Sequence, residues 1–325
     1  MTDDTVLEVR DLETHFFLRR GVVKAVDGVS FSLKRGEVLG LVGESGCGKS
    51  LTALSIMRLL PKGGARTIGG EVRLGGDDIL QYSPRQMREI RGRRISMILQ
   101  DPQTSLNPVF TIGEQLREAI FRRTGGSKAQ IMPEAIAALR RVEIAAPEQR
   151  IGQYPHQMSG GMKQRVVGAI AISGQPEVLI ADEPTTALDV TIQLQYLKLL
   201  ERLQAETGTA ILFITHDFGV VARMCDRVAV MYAGRIVECG PVQEVFDNPS
   251  HPYTQALIAS VPKMTGPIGR LTTIEGQPPS MMDLPVGCRF AARCAFAEPR
   301  CRESYPGSYK VGPDHVADCW RLAPA

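Results

Sequence analysis

Residues 43–50 read GESGCGKS, directly after the apolar run GEVLGLV and directly before LTALSIMRLL. A short run that is apolar on both faces is the pattern of a buried parallel strand. Leu51, Leu54, Met57 and Leu60 then recur at helical spacing, so the glycines occupy a strand-to-helix turn. Gly43, four residues, and then Gly48-Lys49-Ser50 is the phosphate-loop spacing. In such a loop the glycines let successive N–H groups face a polyphosphate, and the helix start adds partial positive charge. Lys49 reaches the outer phosphates, and the Ser50 hydroxyl can ligate Mg²⁺. The contact stretch is therefore Gly43, Glu44, Ser45, Gly46, Cys47, Gly48, Lys49, Ser50 and Leu51. A nucleophile elbow, G-x-S-x-G, fails here because Cys47 stands where its last glycine belongs. Cys47 reads as a small loop filler, with a thiol that Lys49 and the helix start could activate.

A second run, VLIADEP at 178–184, is apolar and ends in two acids, as a buried strand ending in carboxylates does. Asp182 is expected to hold Mg²⁺, and Glu183 to polarise an attacking water. Between the two runs, HQMSGGMKQR at 156–165 places Ser159-Gly160-Gly161 ahead of a helical pattern. It is a second glycine-opened helix start, whose N–H groups call for an anion.

These stretches together resemble the ATP-binding cassette (ABC) subunits of membrane transporters. In order come the Walker A motif GESGCGKS, the Q-loop glutamine Gln100 in SMILQDP and the signature MSGGM, followed by the Walker B motif VLIADE, the D-loop ALD ending in Asp189, and the switch histidine His216 in FITHD. The signature departs from the common LSGGQ at Met158 and Met162 but keeps Ser159, Gly160 and Gly161. The resemblance implies a P-loop NTPase α/β fold of the ABC nucleotide-binding type, with a helical subdomain over about 101–165. It implies that two cassettes meet head to tail and hold ATP between the Walker A motif of one and Ser159 to Met162 of the other. It also assigns Ser50, Gln100 and Asp182 to Mg²⁺, Glu183, His216 and Gln100 to hydrolysis, and Phe16 to stacking on adenine, with Phe17 as a one-residue slip. The loop after Gln100 leads into the helical subdomain, whose groove would receive a coupling helix of a membrane subunit.

The 38 basic residues nearly balance 35 acidic ones, for a net charge of +3, which argues against nonspecific nucleic-acid binding. The N-terminus MTDDTVLEVR lacks a targeting core and no window is apolar enough to span a bilayer. A soluble, unexported chain is expected, peripheral to the cytoplasmic face of the inner membrane.

The cassette reads as residues 1–245 and a C-terminal extension as 246–325. HPYTQALIASVP at 251–262 resembles the extension of oligopeptide and dipeptide importer ATPases, a branch that also contains nickel, glutathione and some sugar or opine importers. The resemblance implies two permeases, a second cassette that is a paralogue, and indirectly a periplasmic or lipoprotein solute receptor. Four of the seven cysteines, Cys288, Cys294, Cys301 and Cys319, crowd the tail. Four thiolates suit a [4Fe–4S] cluster or tetrahedral zinc. The absence of a C-x-x-C knuckle weakens zinc, and the importer resemblance favours the cluster. A segment so short and rich in loops buries little apolar surface and needs a staple. His315 is a spare ligand; Cys225 and Cys239 read as packing. Two other readings are a soluble ABC ATPase of translation or DNA repair and a nucleotide- or redox-sensing module. The single Walker A motif and the lack of heptads oppose the first, and Glu183 opposes the second.

Overall fold

The computed structural model describes residues 4–186, 188–261 and 273–324, with backbone alone at 102 and 103. Ala187 of the ALD motif and the loop from Pro262 to 272 lie outside the described residues. The chain forms two compact units. One comprises Met1–Leu7, Leu33–Glu37 and Leu74–Ile214, the other Glu8–Ser32, Val38–Arg73 and Thr215–Ala325.

In the first unit, three short strands, Ile95–Ile98, Val178–Asp182 and Ala210–Ile214, run parallel in that order. Every residue of the latter two is buried, as a strand covered on both faces requires. The register sets Ile98 beside Ala181 and Asp182 beside Ile214. It therefore delivers Gln100 and Glu183 to the same carboxyl-terminal edge of this sheet. The helix Gly160–Ser173 packs on the strand Ile95–Ile98, and the helices Ile112–Thr124 and Lys128–Arg141 pack on that helix and on each other. Thr111 and Glu114 form a reciprocal capping box, and Gly125 stops the same helix in a left-handed conformation. Leu116 and Ile120 on one helix, and Ile131, Ala135 and Leu139 on the next, are buried at helical spacing.

The second unit contains most of the long hairpin Thr5–Leu18 and Gly21–Lys34. Its other sheet pairs Val38–Val42 in parallel with Arg227–Tyr232, which is antiparallel to Arg235–Pro241. Beyond that strand lie two short strands, His315–Ala317 and Tyr309–Gly312. The sequence reading describes this tail as rich in loops and names no strand in it. These strands are too short to show an alternating pattern, and they exist by pairing Ala317 with Glu238 and Val316 with Cys239. Glu238 is 1% exposed. Its carboxylate accepts from Ser250 N–H at 2.7 Å and His251 N–H at 2.9 Å, and meets His315 Nε2 at 2.8 Å. His315 is thus committed to Glu238 rather than spare. Burial pushes the His251 imidazole down to about 3, so it stays neutral and its Nδ1 accepts from Tyr253 N–H at the head of the helix Pro252–Ser260.

A buried ion pair joins the hairpin to the tail. Asp27 bonds to Arg289, which also donates to Ala233 O, and Arg235 stands 3.5 Å from the same carboxylate oxygen. The other oxygen faces His15 Nε2 at 3.4 Å. Among the described residues, Glu13, His15 and Asp27 could be read as a metal triad, but two guanidiniums already neutralise Asp27. Burial alone would raise the Asp27 carboxyl; Arg289, with Arg235 and Lys24, holds it below its usual range. A depressed carboxylate stabilises the fold above its unfolded value, and that contribution fades as pH falls through the folded one. Asp27→Ala is expected to cost about 3–5 kcal/mol in urea unfolding at neutral pH, because it strands a buried guanidinium. The gap from the parent should narrow below about pH 4. Equal stability at neutral pH would refute the role of this pair.

Candidate functional site

The phosphate loop lies in the second unit, where the buried strand Val38–Val42 ends and the helix Lys49–Ile56 begins. Two glycines shape it. A Cβ on Gly43 would fall 2.1 Å from Met231 O, and one on Gly48 2.3 Å from Ala25 O, with Gly48 at φ 112. Only glycine fits either place. Lys49 is 6% exposed, and its Nζ donates to Gly43 O at 2.8 Å and Glu44 O at 3.0 Å. A buried ammonium compensated by carbonyl dipoles is stabilised further by any anion that reaches it. Ser45 and Gly46 are exposed, Ser50 is half-buried, and Leu51 follows on the helix. Burial raises the Cys47 thiol, with Lys49 only partly offsetting, so the loop cysteine is inert filler rather than an activated nucleophile. Phe17 is the more open of the two aromatic candidates, 46% exposed with the Arg66 guanidinium 5.9 Å from its ring centroid, while Phe16 is half-buried. His216 is exposed just after Thr215, and its neighbour Asp217 caps the helix Phe218–Met224.

The carboxylates lie in the first unit. Asp182 closes its strand and is buried; Glu183 follows at φ 45 and donates its N–H to Ile214 O at 2.9 Å. A left-handed glutamate costs on the order of 1–3 kcal/mol, which an optimised turn would avoid. Gln100 Nε2 and Thr186 Oγ1 both donate to Glu183 Oε2, at 2.9 and 3.0 Å. The sequence pointed to Gln100 and Glu183 separately, and the strand register joins them. Thr186 was missed, since a threonine between two motifs carries no pattern of its own.

Ser159 caps the helix Gly160–Ser173, its Oγ accepting from Met162 N–H at 3.3 Å, and Ser159 and Gly160 are exposed. Gly161 packs against Ile192, where a Cβ would come within 3.1 Å. Gln164, buried and also unforeseen, donates to Pro184 O at 2.7 Å and so ties this helix to the turn after Glu183. Asp189 caps the helix Val190–Thr207 by accepting from Ile192 N–H at 3.0 Å. The same unit bears a groove lined by Arg88, Leu99, Asn107, Phe110 and Val167. Leu99 and Phe110 are exposed.

In the tail, Cys288, Cys294, Cys301 and Cys319 line one small cavity with Phe290 and Trp320. All are free thiols. Burial pushes Cys288 up to about 11, with the other three thiols adding to the rise, and burial also raises Cys294 and Cys319. Four soft donors thus line one apolar cavity, the donor type a thiolate-bound metal centre uses and would shift to the ionised form.

Comparison with known proteins matches residues 26–186 to the family described as "ABC transporter", and residues 237–301 to "Oligopeptide/dipeptide transporter, C-terminal region". A probable peptide ABC transporter ATP-binding protein of Sinorhizobium fredii is 56% identical over 98% of this chain and 95% of its own length. A dipeptide transport ATP-binding protein of Bacillus subtilis is 48% identical over 98% of this chain and 95% of its own. Among solved structures, a dimeric ATP-binding cassette in a post-hydrolysis state, bound to ADP and Pi, superposes with a TM-score of 0.65 at 26% identity. It covers 73% of this chain and 98% of that one.

Gly48→Ala should weaken nucleotide binding by about 100-fold or more in a fluorescent-nucleotide titration, because the added methyl would meet backbone at a left-handed φ. Binding within a factor of about two of the parent would mean the loop does not need this glycine.

Proposed function

Because this chain belongs to the ABC transporter ATP-binding family, we propose that it is the ATP-hydrolysing subunit of an importer for peptides or a related small solute. Its reaction is ATP hydrolysis. The observation that carries the cargo class is the tail, whose residues 237–301 match the oligopeptide/dipeptide type.

In this proposal Lys49 and the N–H groups from Ser45 to Leu51 hold the triphosphate. The donors assigned to Mg²⁺, a serine hydroxyl at Ser50, a glutamine amide at Gln100 and the Asp182 carboxylate, are hard oxygens, the set that ion prefers. Bound there, Mg²⁺ would neutralise phosphate charge. Glu183 takes the water proton, and Gln100 and Thr186 fix which way its carboxylate points. His216 serves the outermost phosphate. A second cassette, which we take to be a paralogue, presents its own counterpart of Ser159, Gly160, Gly161 and Met162 to this chain's nucleotide, while this chain's signature serves the other. Asp189 lies in the loop that would face that partner. Phe16 or Phe17 stacks on the adenine.

The groove beside Phe110 suits a helix from a membrane permease, two of which complete the importer, with a solute receptor on the far side. No helix among the described residues is long and apolar enough to cross a membrane, in keeping with attachment through that groove at the inner face. The cassette then ends near residue 245, and residues 246–325 form the importer-type extension. Its four cysteines we assign to a [4Fe–4S] cluster, with zinc as the alternative.

Two experiments test this. In the assembled transporter, Glu183→Gln should lower ATP turnover by about 100-fold or more and leave ATP trapped in a closed pair of cassettes. Turnover at the parental rate would remove Glu183 from its role. Anaerobically purified protein should be brown and carry about four iron and four sulfide per chain. Cys301→Ser should lose the colour and lower the melting temperature. One zinc per chain without iron would overturn the cluster.

A further inference from the structure

Glu44 is an oddity in a loop built to attract phosphate, since a carboxylate beside a triphosphate repels it. The structure shows every polar group of this residue engaged. Its carbonyl accepts from Lys49 Nζ at 3.0 Å. Its N–H donates to Tyr253 Oη at 2.9 Å, and so is not turned toward phosphate. Its carboxylate receives a two-pronged fork from Arg293, Nη1 to Oε2 at 2.8 Å and Nη2 to Oε1 at 2.9 Å.

The tail holds both partners in place. Arg293, whose side chain is 5% exposed, also donates from Nε to Glu275 O at 3.0 Å, from Nη2 to Ile274 O at 3.3 Å and from Nη1 to Tyr232 Oη at 3.3 Å. All five guanidinium protons are accounted for, an arrangement a lysine ammonium cannot reproduce. Tyr253 is fully buried, packed on Tyr232 and Phe290 at ring-centroid distances of 4.5 and 5.4 Å. Arg293 immediately precedes Cys294, so whatever fixes that cysteine also fixes the fork.

We propose that Arg293 and Tyr253 are positioning residues for nucleotide binding: from the C-terminal extension they brace Glu44, cancel its charge and hold the carbonyl that orients Lys49. The proposal deepens the functional reading and rests on residues 43–51 being the nucleotide loop. It makes the extension part of the ATP-binding machinery of its own chain. The fork acts on the ground state, so it bears on affinity more than on the chemical step.

The test uses the full-length chain, a fluorescent ATP analogue and thermal melts as the folding control. Arg293→Ala should weaken binding about tenfold or more, since it leaves Glu44 as an unpaired charge against the phosphates. Arg293→Lys should fall between, by about threefold, and Tyr253→Phe by a similar factor. The diagnostic variant is the double one: Glu44→Gln with Arg293→Ala should bind several-fold more tightly than Arg293→Ala alone, because the repelling charge is gone. A purely structural role predicts no such rescue. In the assembled ATPase the single variants should raise KM while kcat changes less than about threefold. Should Arg293→Ala not fold, Arg293→Lys and Tyr253→Phe with parental affinity would overturn the brace. So would a double variant no better than the single. Lys49→Ala separates the two readings. If the parent binds nucleotide, Lys49→Ala does not, and the Arg293 variants bind like the parent, the brace fails and the loop stands. If the parent binds no nucleotide, the reading of the loop itself fails.

Discussion

A buried ammonium answered by carbonyl oxygens is the constraint on which the molecule is organised. Lys49 sits almost out of water with Gly43 O and Glu44 O as its acceptors. Dipoles offset a desolvated charge less well than an anion does, so the loop favours phosphate electrostatically before any ligand contact is counted. Keeping that geometry requires backbone where side chains would collide. Gly43 and Gly48 supply it, pressed against Met231 O and Ala25 O.

In the first unit the controlling feature is strand register rather than charge. Pairing Ile98 with Ala181 and Asp182 with Ile214 determines that Gln100 meets Glu183. A one-residue slip would turn each side chain to the opposite face. Glu183 accepts a left-handed backbone to stand there, and strain of that kind collects at sites that must aim a group rather than bury it. Gln164, bonded to Pro184 O, extends the same order to the helix capped by Ser159.

The tail puts Tyr253, Leu257 and Phe290 into a buried apolar cluster, more apolar packing than its sequence suggests, and charge pins it there. Glu238 takes in His315, Ser250 and His251, and Asp27 holds Arg289. Each buried charge has hydrogen-bonding partners, which lets it pin a segment instead of unsettling it. Arg293 belongs to the same style of construction. Its fork reaches Glu44 in the glycine-rich loop, so tail and loop share one set of contacts.

Taken alone, the sequence determined the family and its reaction: the loop GESGCGKS, the acids after VLIA, and the serine and glycines ahead of a helical run were all legible, and the four cysteines of the tail stood out as a cluster. Those signals are local, because glycine placement, strand-then-acid order and helix starts act over a few residues. Tertiary structure decided which groups meet. Neither the pairing of Gln100 with Glu183, 83 positions on, nor the two tail strands, nor the fork from Arg293 to Glu44 across 249 positions leaves any periodic trace. The physical reason is that such contacts depend on where the whole chain carries a side chain, and hydrogen-bond geometry is satisfied in space, not along the sequence.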